Sequence, residues 1–292
     1  MPLLAVVMVL ASALTHAWWN LWAKQARDKL IFVWLMYFTA GIVLLPLAIW
    51  GALREPIQPG MWLCALGTSS FFTLYAVSLA RAYRHGDVSL VYPIVRSTGP
   101  LLTVLFAAIF LHERLQGYGY LGIALIVVGA AGISWPDADP SGERRPLLQR
   151  LHSVAVAPAV LAGATIAVFS VVDKVGVTLA NPIFYNFILF CATAVWLTPI
   201  VLRRRSWEQV RAEWTRDSRA LWLSGAFNAF GYLLVLFSFR LAPASYVIAL
   251  RSTAVVFAVI LGSQVLGERR GLARTLLGVL IVVGLALVYL KG

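Results

Sequence analysis

The chain has 292 residues, of which 61% are hydrophobic and only 12% charged, with a formal net charge of +12. A soluble domain carries about 25% charged residues, so this composition excludes an ordinary water-soluble globule and points to lipid as the solvent. Two cysteines, Cys64 and Cys191, both in apolar stretches, exclude a disulfide framework, and the basic residues fall in short segments between apolar runs, as membrane topology signals do rather than as a nucleic-acid surface.

A helix needs about 20 mostly apolar residues to cross the bilayer. Ten stretches qualify, at approximately 4–24, 30–50, 60–83, 88–111, 116–135, 154–176, 181–202, 219–240, 244–266 and 271–290. With no water available to backbone groups, each is expected to be helical. The first apolar run has no Lys or Arg before it and is followed directly by Trp18, Trp19 and Trp22, so it reads as an uncleaved membrane helix rather than a signal peptide. The connections 136–153 and 203–218, rich in charge, Pro or Gly, read as loops. The first of them divides the chain into a repeat over 1–135 and a second over 154–292.

The halves match. Because 251 − 96 = 155, a shift of 155 places Arg96-Ser97-Thr98 on Arg251-Ser252-Thr253, Glu113-Arg114 on Glu268-Arg269, and Ile126-Val127-Val128-Gly129 on Ile281-Val282-Val283-Gly284, with 13 identities in the 34 positions from 96 to 129. Each half holds five predicted spans, an odd number, so the second half must enter the membrane from the opposite side. The expected architecture is an all-α membrane protein of ten helices in two inverted five-helix repeats, as in many secondary transporters. One side of it would carry 17 basic residues and the other 5; the rule that basic loops stay cytoplasmic then puts both termini outside.

The tandem pattern resembles the EamA-domain family of the drug/metabolite transporter superfamily. The residues that carry the resemblance are Gly86-Asp87-Val88-Ser89, Tyr92-Pro93 and Arg96, then Leu111-His112-Glu113-Arg114-Leu115, then the fifth span closing on Gly129, with Leu266-Gly267-Glu268-Arg269 and Gly284 in the second half. His16-Ala17-Trp18-Trp19-Asn20 followed by Lys24 looks like a bacterial branch of that family. The resemblance implies a ten-helix metabolite transporter, multi-pass in the inner (plasma) membrane of a bacterium, with both termini cytoplasmic.

Two charged residues lie well inside spans: Arg96 and Arg251. At a rise of ~1.5 Å per residue they sit about 5–6 Å short of the midplane, on helices that run in opposite directions. Placing Arg there costs about 2.5–3.5 kcal/mol on insertion scales. Each is therefore expected to face a cavity or a partner, either contacting an anionic substrate or bonding backbone carbonyls to hold its repeat together. The nearest acid, Asp173, lies toward the end of its span, so no carboxylate is expected at the midplane to neutralise them.

Helical spacing adds candidates. Ser89, Tyr92 and Arg96 share a face of the fourth span, and His16, Trp19 and Asn20 share a face of the first. Tyr75, Asn228 and Tyr232 are candidates to line the same cavity. His16 reads either as a proton relay or as a hydrogen-bonded packing residue. Pro93 and Pro100 each free a carbonyl four residues earlier, that of Ser89 and of Arg96, so they read as kink or gating positions; Ile248 and Val255 replace them in the second half, which predicts an asymmetric site. Gly117, Gly122, Gly129, Gly132, Gly278 and Gly284 are expected to permit close helix packing.

No nucleotide-binding loop, Ser/His/Asp set or zinc signature is present, so the expectation is no enzyme, no cofactor and no metal. The leading functional expectation is alternating-access transport of a small metabolite with an anionic group. A cationic-drug exporter and a non-transporting receptor or scaffold are the alternatives. The expected partners are a small-molecule substrate and the lipid bilayer, with no nucleic acid. Two repeats form a complete pathway, so a monomer or homodimer suffices.

Overall fold

The computed structural model describes residues 1–85, 88–134, 153–257 and 272–291; within them the side chains of Lys24, Val88, Ser89, Tyr92, Pro93, Ser134, 272–275 and Lys291 fall outside the described residues, as does nearly all of the connection 136–153. The described chain is helical. Its first half holds α1 (Leu3–Gln25), α2 (Lys29–Arg54), α3 (Gly60–His85), α4 (Val88–Phe110) and α5 (Gly117–Ser134). Its second half holds α6 (Val156–Leu179), α7 (Pro182–Leu202), α8 (Trp207–Arg216), α9 (Ser218–Leu241), α10 (Ala244–Arg251) and α11 (Leu272–Lys291). Six helices, α1, α2, α3, α6, α7 and α9, are long and apolar enough to cross a membrane; shorter apolar helical stretches cover 94–110, 117–133, 244–257 and 276–290.

Local chemistry sets the helix ends. Asp28 accepts from the Leu30 and Ile31 amides at the start of α2, Asn181 from Ile183 at the start of α7, and Asp217 from Ala220 at the start of α9. The expected loop 203–218 contains the short helix α8, which corrects that reading. Its signal was local: Ser206 and Gln209 form a capping box, each side chain bonding the other's backbone. Two C-termini cap each other. Lys174 of α6 donates to the carbonyls of Phe239 and Ala242 at the end of α9, and Arg240 of α9 donates to those of Val177 and Ala180 at the end of α6.

The sequence repeat is also a repeat of helices. Shifted by 155, the α1 range becomes 158–180, where α6 lies; the α3 range becomes 215–240, where α9 lies; and the α5 range becomes 272–289, where α11 lies. Packing runs mainly between the halves. α3 packs on α6 as α9 packs on α1, α2 crosses α7, α4 meets α10, and α5 lies along α11.

The exchange holds at single residues. A Cβ on Gly122 would lie 2.7 Å from the Gly284 carbonyl oxygen, and one on Gly129 would lie 2.8 Å from that of Leu277. Adding 155 to 122 and subtracting it from 284 gives 277 and 129, so the second contact is the first with the halves exchanged. Gly132 and Gly284 are equally confined, whereas Gly117 and Gly278 meet nothing within 4 Å, so the packing role expected of those two is not one they have among the described residues.

Each end of the bundle carries an ionic contact between the halves. At one end Asp28 pairs with Arg205 and its amide donates to Glu213. At the other, Glu55 pairs with Arg240 at 2.7 Å and accepts from the Asn181 side chain at 2.9 Å.

Two outcomes follow. Gly122→Ala is expected to cost about 1–3 kcal/mol, because the group it meets is backbone and cannot yield; Gly117→Ala should be near neutral, both read as thermal midpoints of the purified protein. The Arg240 guanidinium holds the Glu55 carboxyl below its ordinary value. The folded value is depressed, so the clasp contributes above the ordinary carboxylate range and fades as pH falls through the lowered value. Its contribution at such exposure is at most about 1 kcal/mol; the thermal-midpoint gap between wild type and Glu55→Gln should therefore be small near neutrality and close on acidification.

Candidate functional site

The 3.6-residue period of α1 brings Ser12, His16 and Trp19 to one face. His16 Nε2 lies 3.0 Å from Arg96 Nη2 on α4, and the Trp19 ring packs edge-on against the imidazole at 4.9 Å. A guanidinium only donates, so Nε2 must be the acceptor. The ring is then neutral and its proton sits on Nδ1. That Nδ1 is buried and has no hydrogen-bond partner among the described residues.

Arg251 closes α10. The Ser252 and Thr253 amides turn back three residues, to the Ala249 and Leu250 carbonyls at 3.0 Å each, so the regular helix is interrupted directly after the arginine. Its guanidinium lies over the Tyr232 ring, 5.1 Å from the centroid, a cation–π contact. Tyr232 in turn donates its hydroxyl to Asp173 Oδ2. The other oxygen of Asp173 accepts from Thr68 at 2.6 Å and Tyr185 at 2.7 Å. Gly176, one turn on, leaves room for the Tyr185 ring: a Cβ there would lie 2.6 Å from its Cζ.

Asp173 is fully buried. No carboxylate was expected at the midplane to neutralise the arginines; Asp173 is linked to Arg251 through Tyr232. Its depth in the sequence understated its role, because α3, α7 and α9 each send a hydroxyl to it. Thr68 and Tyr185 had no local signal; they lie 105 and 12 residues from the carboxylate they serve. An aromatic wall, also missed, surrounds Tyr232: Phe72 stacks on Phe169 at 4.4 Å and meets Tyr232 edge-on at 5.4 Å, and Phe190 lies between Tyr232 and Tyr37.

Asn228, one turn before Tyr232 on α9, is buried, with its Nδ2 unpartnered, as are Arg251 Nε and the hydroxyls of Ser12, Ser224 and Thr253. Apart from Thr253, in the turn after α10, these residues belong to α1, α9 and α10, which pack against one another. The structure thus brings together His16, Trp19 and Arg96 on one side and Asn228, Tyr232 and Arg251 on the other.

Asn20 stands apart: it is exposed and donates to the His16 carbonyl of its own helix at 2.7 Å. Tyr75 packs at the edge of the cluster formed by α3, α4 and α6 and is close enough to interact electrostatically with Arg251 and Tyr37. Ser89, Tyr92 and Pro93 lie in α4, and their side chains are outside the described residues. α4 is assigned as one helix through Pro93 and Pro100, and in the second half a turn follows Arg251.

A solved crystal structure, described only as that of a protein, is similar over 99% of this chain and 97% of that chain, with a TM-score of 0.75 at 18% identity; at that identity the likeness is one of fold. No curated protein matches the chain. The family model described as the EamA-like transporter family matches twice, over residues 3–135 and 154–290. Two matches that together span nearly the whole chain place it in that family: the protein belongs to the EamA-like transporters, of the drug/metabolite transporter superfamily.

Proposed function

We propose that this chain is a secondary transporter, ten helices in two inverted repeats, which moves a small metabolite bearing an anionic group by alternating access. The observation that carries the reading is a set of buried donors without partners among the described residues, Arg251 Nε, His16 Nδ1 and Asn228 Nδ2, beside two guanidiniums. A buried polar group normally has a hydrogen-bond partner. Three N–H donors beside two cationic side chains favour an acceptor that is itself negative, and the unpartnered hydroxyls of Ser12, Ser224 and Thr253 can donate to it as well. Asp173 does not fill that need, since its oxygens already accept three hydroxyls. A carboxylate, phosphonate or similar group would.

Asp173 is also the one observation that favours a cation instead. Its hydroxyl ring argues against this, because a cation ligand would have to displace donors that already satisfy the carboxylate.

The test is a thermal-shift screen of small carboxylates, phosphonates and organic cations on the purified protein, followed by flux in liposomes. Anionic compounds should stabilise the protein. Arg96→Ala and Arg251→Ala should each weaken that effect by about 2 kcal/mol or more, roughly thirtyfold in affinity. Stabilisation by cations alone, or normal flux in both variants, would remove the proposal.

Asp173 gives a separate outcome. Asp173→Ala leaves three buried hydroxyls without their acceptor, at about 1–3 kcal/mol for each one that finds no other partner. It should unfold well below wild type. Asp173→Asn keeps one acceptor oxygen and should fall between the two.

A further inference from the structure

Glu113 sits in the motif that follows α4, and neither the arginine site nor the packing of the halves accounts for it. The end of α4 explains its direction. The Leu111 amide bonds the Ala107 carbonyl at 3.0 Å, and the Glu113 amide bonds the same oxygen at 3.1 Å. Between them His112 takes a left-handed conformation, with φ of 53°. The helix thus ends on one shared carbonyl with a left-handed residue just past it, a return one residue wider than the 6→1 bond of a Schellman motif. Glycine is the usual occupant of that position; here a histidine is held there. The turn swings the chain off the α4 axis and carries Glu113 across to the other half of the protein.

There the carboxylate meets the start of α10. Oε1 accepts from the Ala244 amide at 2.6 Å, and Oε2 accepts from the Ser245 amide at 3.2 Å and the Ser245 hydroxyl at 2.8 Å. The residue before the helix is Pro243, which supplies no side-chain cap. α10 therefore takes its N-terminal cap from the opposite repeat. An anion at a helix N-terminus is favoured both by the free amides and by the helix dipole. The same segment holds the next residue of α10, since the absence of a side chain at Gly119 leaves the space that the Tyr246 ring occupies.

α10 is eight residues long and ends on Arg251. Seven residues separate the cap from the guanidinium, about 10 Å along the axis. The turn at Ser252 and Thr253 follows at once and separates this helix from the helical residues 254–257. The cap is thus a polar anchor, among the described residues, at the far end of the short helix that carries Arg251.

The geometry points to Glu113 as the positioning residue for Arg251: a carboxylate of the first repeat that sets the depth of the second repeat's arginine by capping the short helix on which it sits. This rests on the reading of Arg251 as the anion contact, and its own test does not use the substrate. Phenylglyoxal modifies guanidinium groups, and peptide mass spectrometry separates Arg251 from Arg96. Glu113→Gln in the full-length protein should speed modification of Arg251 by about three- to tenfold, the range expected for a lost cap. Arg96 should keep its wild-type rate. Glu113→Asp, which keeps the charge on a shorter arm, should fall between, and amide hydrogen exchange should rise over 244–251 and not over α1.

An unchanged Arg251 rate in the folded Gln variant would overturn the proposal. So would an equal rise at Arg96 and Arg251, which would mean general loosening. Should Glu113→Gln fail to fold, Ser245→Ala removes one of the three bonds and should give a smaller rise at Arg251 alone; no rise would equally overturn it. Correct labelling with no anion-dependent stabilisation would leave the positioning intact and remove only the anion reading.

Discussion

A guanidinium inside an apolar bundle must keep its charge and must be solvated by protein, because deprotonation is not open to it. That constraint organises the centre of this molecule. Among the described residues Arg251 is not met by a carboxylate directly. It rests on the face of Tyr232, and the hydroxyl of that tyrosine bonds Asp173. The carboxylate is thereby linked to the arginine and separated from it by a ring. A direct bidentate pair would have consumed the donors of the guanidinium. The arrangement found leaves Nε unpartnered. Arg96 lies against a neutral imidazole, that of His16. In a medium of low dielectric, donors left over in this way attract an anion far more strongly than they would in water.

The second organising feature is that the halves are held together more by each other than by themselves. α3 needs α6, α1 needs α9, and α5 needs α11. The α5–α11 crossing is as close as two backbones allow, with Gly122 against Gly284 and Gly129 against Leu277. Tight backbone contact with no long side chains between suits a fixed axis. The ends are different in kind. Glu55–Arg240 and Asp28–Arg205 are ion pairs at partly exposed positions, each joining one half to the other at opposite ends of the bundle. Such pairs are worth little and exchange readily with water. In the proposed cycle, opening one end would break one pair and leave the other, about a crossing that does not move.

Much of this was legible in the residues. The 155-residue shift, the two arginines and the family resemblance come from order and spacing along the chain, and helical periodicity put His16 and Trp19 on one face of the first helix; that this face meets Arg96 came from the packing. Three things were not legible. The buried role of Asp173 depends on hydroxyls from three other helices. The helix in the 203–218 connection was hidden by its charge, although its capping box was in plain view. The turn that ends α10 directly after Arg251 had no proline to announce it.

The sequence by itself determined the solvent, the helices, the duplication and the expense of two mid-span charges, because hydrophobicity and periodicity are properties of consecutive residues. Only the tertiary structure decided what each charge touches. Tyr232 lies 59 residues from Asp173, and Glu113 lies 131 residues from the amide it caps. Hydrogen bonds reach about 3 Å and depend on direction; no pattern along one strand of sequence records which helix will present a hydroxyl at that distance once ten or so cylinders have packed.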